Sequence, residues 1–155
     1  MPKFGKKSLE QYKTLHPDLQ LICDETIKLI DFSILEGARS DEDQMKYFLE
    51  GKSKLDGVKK RSKHQVTKEK PKSDAMDNIP YPIDWKDIKR FFYLAGIMKG
   101  IASQLLQKGK ITHELRWGGD WDSDNDFKDQ SFNDLPHFEL LPIKTNKDMK
   151  LFKKL

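Results

Sequence analysis

The sequence predicts an α+β fold in which a small antiparallel sheet carries helices packed on one face. Three observations predict it. Helical and strand-like segments are mixed along the chain without βαβ regularity. The strand-like segments are short and end at Gly, Pro or Asp. One segment, residues 84–109, has a one-sided apolar pattern over about five turns, which suits a helix laid against a sheet.

Each element can be justified in order. Residues 8–30 read as helical, with Leu19, Ile22, Cys23, Thr26 and Ile30 at helical spacing and Pro17 suited to a first turn. Residues 31–40 follow as a short strand ending near Gly37. Ser40, with Asp43 three residues on, resembles a capping box and opens a short helix that ends at Gly51. Residues 52–72 lack an apolar period and read as a long loop. Residues 73–79 form a strand, and Tyr81-Pro82-Ile83 turns the chain. Asp84 is the expected N-cap of the main helix. Its face is Ile88, Phe91, Phe92, Ala95, Met98, Ala102, Leu105 and Leu106, and Gly109 ends it. Residues 114–121 and 137–143 read as two further strands around an aspartate-rich loop.

The chain has 155 residues, so a single domain over 1–155 is expected, with no separate binding module. At this size folding buries roughly 69% of the unfolded surface, enough for a core without disulfides. Cys23 is the only cysteine, which excludes a disulfide framework and a Cys-based zinc knuckle; it reads as an inert core residue. No apolar run reaches the roughly 18 residues of a membrane span, and the first residues lack the apolar core of a secretory signal. The net charge is +4, unevenly spread. Residues 52–72 carry nine Lys/Arg against two acids, 120–134 carry six Asp against one Lys, and the tail 144–155 carries five Lys against one Asp. A basic surface favours an anionic partner such as nucleic acid, anionic lipid or an envelope polymer. Trp85, Phe91 and Phe92 beside lysines raise base stacking, but Phe91 and Phe92 fall on the face read as core.

Glycine-rich phosphate loops and a G-x-S-x-G nucleophile elbow are absent. The four histidines offer another chemistry. His16 precedes a proline and reads as structural, as does His113 beside Glu114. A hydrolytic zinc site needs about three N/O ligands and an open position. His64, His137 and one of several aspartates satisfy that, with a second carboxylate as general base; spacing alone does not choose among the aspartates.

Five blocks carry a resemblance. Gly37-Ala38-Arg39-Ser40 with Gln44 and Gly51-Lys52-Ser53-Lys54 is the first. Ser62-Lys63-His64, Ser73-Asp74-Ala75-Met76-Asp77, Arg116-Trp117-Gly118-Gly119-Asp120-Trp121 and Asp134-Leu135-Pro136-His137-Phe138-Glu139 follow in order. Together they resemble the zinc L-alanyl-D-glutamate peptidases of phage lysis, relatives of the D-Ala-D-Ala carboxypeptidases and dipeptidases. The resemblance implies a zinc cleft on the sheet, with His64, Asp77 and His137 as ligands. It implies Asp134 as the catalytic carboxylate, Arg39 as catalytic and substrate-binding at the carbonyl, and Gln44 as a support for Arg39 or for substrate. Glu139 reads as an orienting group or an exposed strand residue. One departure stands out: twelve residues separate His64 from Asp77, more than the family usually has, with the lysine-rich excess near 67–72. Asp120, Asp122, Asp124 and Asp126 resemble the start of a calcium loop, with Asn125 where an EF-hand has glycine, and some phage members carry a regulatory calcium site here.

The implied activity is hydrolysis of the L-Ala-D-Glu bond of peptidoglycan stem peptides by a monomeric endolysin. It would be made in the host cytoplasm and released to the periplasm by a holin-type lesion, with its basic surface drawn to the anionic envelope. Alternatives are a D-Ala-D-Ala carboxypeptidase or dipeptidase on the same scaffold, or a basic non-catalytic protein binding wall or nucleic acid.

Overall fold

The computed structural model describes residues 1–143; the basic tail at 144–155 lies outside them. The elements run α1 (Lys6–Tyr12), α2 (Pro17–Thr26), β1 (Phe32–Glu36), α3 (Asp41–Leu49), β2 (Ala75–Pro80), α4 (Ile88–Gln107), β3 (His113–Trp117) and β4 (His137–Pro142). The four strands form one sheet in the order β1-β2-β4-β3, with every pair antiparallel. The expected α+β class is observed.

The single helix expected over 8–30 is two. Pro17 has no N–H to donate and forces the residue before it out of the helical region. His16 is therefore extended and caps α2, its Nδ1 accepting from the Asp18 N–H at 3.0 Å. Leu15 bridges to Ser73 in the interval between the helices. Ser40 caps α3 as expected, its hydroxyl accepting from the Asp43 N–H at 3.0 Å. Asp84 is not the N-cap of α4; it closes a turn by accepting the Lys86 N–H, and the helix begins after Asp87. The strand expected over 114–121 stops at Trp117, where the chain turns through Gly118 and Gly119.

One face of the sheet is core. Ile34, Met76, Leu115, Trp117, Phe138 and Leu140 point into a buried cluster with Leu15, Leu19, Ile22 and Cys23. α4 closes it with Leu94, Ala95, Met98 and Ala102, all 3% exposed or less. Leu94 is an addition to the expected stripe, and Ile88, 52% exposed, leaves it. Gly109, at φ +66°, lets the chain leave the helix. Burial pushes the Cys23 thiol far up, consistent with an inert core residue. Asn78 is a buried polar intruder: its amide donates to Met98 Sδ at 3.6 Å, and its Oδ1 has no partner.

Met98 is wholly buried and touches that amide, so Met98→Ala should cost about 2–5 kcal/mol from lost packing and an unfilled cavity. Urea unfolding measures it, and a loss under about 1 kcal/mol would show that the α4–sheet core relaxes around the gap.

Candidate metal centre and cleft

The opposite face of the sheet builds the site. Strand alternation sends Asp77, Arg116, His137 and Glu139 away from the core. Asp77 lies directly opposite His137 across β2 and β4, and Arg116 opposite Glu139 across β3 and β4. A register shift between Ile34 and Glu36 bends β1, so that Leu35 and Glu36 both line the cleft while Ile34 stays in the core. The sheet thus delivers two of the candidate ligands in adjacent register. The third, His64, comes from the long loop.

The three converge. His64 Nε2 and His137 Nδ1 are 3.2 Å apart, and Asp77 Oδ1 is 3.3 Å and 3.2 Å from them. Bonds of about 2.0–2.1 Å to a tetrahedral ion place neighbouring donors roughly 3.3–3.4 Å apart, so this triangle has the dimensions of one face of such a site. Each imidazole is fixed from behind. His64 Nδ1 faces the Gly37 carbonyl oxygen at 2.7 Å, and His137 Nε2 faces Glu139 Oε2 at 2.8 Å. Each rear nitrogen carries a proton to donate, so a metal need displace only the proton that an inner nitrogen shares with Asp77 to find a lone pair facing the triangle.

The electrostatics agree. Burial alone would raise the Asp77 carboxyl, but hydrogen bonds from His137 and His64 hold it well below the usual range. Burial disfavours charge on His137, yet Asp77 and Glu139 outweigh it and push its imidazolium up to about 9. Against its own burial, Glu139 is brought down to about 2 by His137 and Arg116. The surrounding carboxylates favour positive charge at the triangle, which is what a cation site requires.

Arg39 enters the cleft with its guanidinium plane held. Its Nε and one terminal nitrogen donate to the two oxygens of Glu36, each at 2.7 Å, and the other donates to Gln44 Oε1 at 2.7 Å. Gln44 is wholly buried, and its amide also donates to Ser53 Oγ and the Leu55 carbonyl. It is placed to hold Arg39 and the loop. Glu36 was not singled out in the sequence; its position three residues before Arg39 was the only available signal. Asp134 lines the same cleft, and burial and then the Asp77 charge raise its pKa. Its backbone is clamped to Gly118, with Asp134 N–H donating to the Gly118 carbonyl at 2.8 Å. A Cβ on Gly118 would lie 2.2 Å from the Asp134 carbonyl oxygen, so this approach needs glycine.

The extended loop leaves His64 in place, 2% exposed. Arg39 N–H donates to the His64 carbonyl at 2.8 Å, and Ser73 N–H to the Thr14 carbonyl at 2.8 Å, so both ends are tied. The lysine-rich excess is taken up in a turn, with Thr67 N–H donating to the Lys70 carbonyl. Gln65, missed in the sequence, braces the loop through Ser62, Asp41 and Gly57.

In the aspartate-rich loop, Asp120, Asp122 and Asp124 gather, and Asp126 is not among them. Asp120 is wholly buried, accepts two backbone N–H groups of its own loop and lies 3.3 Å from Lys99 Nζ. Asn125 does take the left-handed conformation, at φ +69°. With an ammonium already at Asp120, the calcium expectation gains no support from this geometry.

The cleft has a volume of about 970 Å³, room for a peptide segment. Trp121, also missed, lies against the His137 ring at 5.5 Å and stacks on Phe132, over which Lys54 Nζ sits at 4.8 Å. Lys52, Lys54, Arg61 and Lys63 line it on the loop side, and Trp85 lines it while 59% exposed. Phe92 packs against the core, as expected, whereas Phe91, equally expected there, is buried but lines the cleft with its ring 6.0 Å from that of Trp85.

A family model described as phage L-alanyl-D-glutamate peptidase matches residues 1–141. The chain is 33% identical over 134 residues to the L-alanyl-D-glutamate peptidase of Escherichia phage T5, covering 83% of this chain and 88% of that protein. Its fold matches the crystal structure of the Serratia marcescens L-Ala D-Glu endopeptidase ChiX with a TM-score of 0.66 at 23% identity, over 91% of this chain and 90% of that one.

Glu139→Gln should weaken metal binding about 10–100-fold, since the amide cannot hold the rear nitrogen of His137 as a carboxylate does. Competition with a chromophoric chelator reads this; unaltered affinity would show that Glu139 does not orient the ligand.

Proposed function

The chain belongs to the phage L-alanyl-D-glutamate peptidase family, and from that membership and the cleft we propose a zinc-dependent endolysin that hydrolyses the L-Ala-D-Glu bond of peptidoglycan stem peptides. The observation that carries the zinc reading is the triangle of His64 Nε2, Asp77 Oδ1 and His137 Nδ1, with its edges of 3.2, 3.2 and 3.3 Å. The donor set fits: two neutral imidazoles and one carboxylate from separate elements suit zinc in a hydrolytic site. A bound zinc ion supplies Lewis acidity and lowers the pKa of water towards neutrality.

The protein's own groups do the rest. Asp134 is the general base: its burial beside Asp77 raises its affinity for a proton, which it takes from the attacking water and returns to the leaving amine of D-Glu. Arg39 donates to the carbonyl oxygen of the scissile bond as negative charge grows there. Its plane, already set by Glu36 and Gln44, needs no reorganisation, and lysine would lack the fork. Gln44 acts through Arg39 rather than by touching substrate. The basic rim of Lys52, Lys54, Arg61 and Lys63 draws the enzyme to the anionic envelope. Among the described residues no helix is long and apolar enough to cross a membrane. Synthesis in the host cytoplasm and holin-type release to the periplasm belong to this proposal, as does action as a single-domain monomer.

Incubation with Gram-negative peptidoglycan followed by mass spectrometry tests the reaction. New D-Glu amino termini, abolished by a zinc chelator and restored by zinc, are expected; released D-Ala or D-Ala-D-Ala would replace the proposal with the carboxypeptidase or dipeptidase alternative. Asp134→Asn should retain zinc while kcat falls about 10²–10⁴-fold. The base is lost as pH falls through the raised pKa of Asp134, so the acid limb of kcat/KM should lie above the ordinary aspartate value of 3.8. A near-normal rate in Asp134→Asn would remove Asp134 from the mechanism.

A further inference from the structure

All four histidines of the sequence fall into two clusters, each of two imidazoles and one aspartate. The second cluster is His16, Asp18 and His113, with one donor atom of each within 4.8 Å of the other two. Its imidazole pair repeats the geometry of the first. The His16 and His113 rings are 5.0 Å apart at 76°, and the His64 and His137 rings 5.1 Å apart at 62°. The two clusters are separate. His113 begins β3 opposite Pro142, at the far end of the strand that His137 begins, which places them on the order of 15 Å apart at a strand rise of about 3.3 Å per residue.

The chemistry of the second cluster suits a cation. Asp18 is buried, which disfavours its charge, but hydrogen bonds from His113 and the Thr112 backbone outweigh burial and lower its pKa. Its Oδ2 receives His113 Nδ1 at 2.8 Å, Thr112 N–H at 2.9 Å and the Thr112 hydroxyl at 3.2 Å. Its Oδ1 lies 3.9 Å from His16 Nδ1. The imidazoles are 26% and 30% exposed, so an ion can enter from solvent and keep water in its remaining positions. The cluster is looser and more exposed than the triangle. His16 Nδ1 already accepts the Asp18 N–H and His113 Nδ1 is already paired with Asp18, so a metal bound at either Nδ1 displaces that contact.

We propose that His16, Asp18 and His113 form a second, weaker site for a borderline divalent cation such as zinc, which clasps the start of α2 to the start of β3. Equilibrium dialysis of the metal-free full chain against zinc tests it. The wild type should take up about two zinc ions per chain, the second half-filled at roughly tenfold or more higher free zinc, as expected of a more exposed three-ligand site. His113→Gln and His16→Asn, the latter keeping a side-chain acceptor for the helix cap, should each take up about one while hydrolysing peptidoglycan at the wild-type rate. His137→Ala should also keep about one, and the His113→Gln/His137→Ala pair none. Circular dichroism of each variant verifies its fold. A single zinc in the wild type that vanishes in His137→Ala would overturn the proposal, as would two zinc ions persisting in His113→Gln. A single zinc that survives His137→Ala but not His113→Gln would uphold this site and sink the catalytic one.

Discussion

Three donor atoms from three places in the chain must meet with edges of 3.2–3.3 Å, and most of the structure follows from that demand. Asp77 and His137 meet because β2 and β4 pair in a register that sets them opposite each other. A slip of one residue would put the two side chains on opposite faces, one of them in the core. The register is secured on the other face, where Met76 and Phe138 occupy the neighbouring pair inside the hydrophobic cluster. The packing of α4 on the sheet is thus the foundation of the candidate metal centre, although no residue of that cluster is in the triangle.

Charge is the second constraint. Glu36, Asp77, Asp134 and Glu139 crowd one cleft, and they are compensated unequally. Glu36 is locked to Arg39, Glu139 to Arg116 and His137, and Asp77 to the two imidazoles. Asp134 is left with the least compensation, and its pKa moves up while that of Asp77 moves down. Two carboxylates in one pocket pushed in opposite directions are fitted to opposite tasks, one to bear charge continuously and one to gain and lose a proton.

Much of this was legible in the sequence, and the losses have physical causes. The strands and the α4 stripe follow from periodicity, and the five motif blocks pointed to His64, Asp77, Asp134, His137 and Arg39, which the fold brings to one cleft. The helical reading of 8–30 missed the break at 13–16, and Pro17 does stand in the first turn of α2 as expected. Glu36 and Gln65 escaped because their roles depend on a register shift and a loop closure, neither of which has a local signature. Trp121 escaped because its contact with His137 bridges a loop and a strand. Gln44 could be named but not placed, since burial decides whether an amide meets a substrate or a neighbouring guanidinium.

The ties at His64 and Ser73, which bracket residues 65–72, separate two properties that are usually bound together. Because Arg39 anchors the chain at His64, and Thr14 and His16 anchor it at Ser73, added residues between them extend outward into the turn at 67–70 instead of displacing the ligand. Closing a longer flexible loop costs only about 0.6 kcal/mol per doubling of its length. Length and lysine content there are thus set apart from the geometry of the triangle. The same turn is a natural port for grafting a targeting peptide.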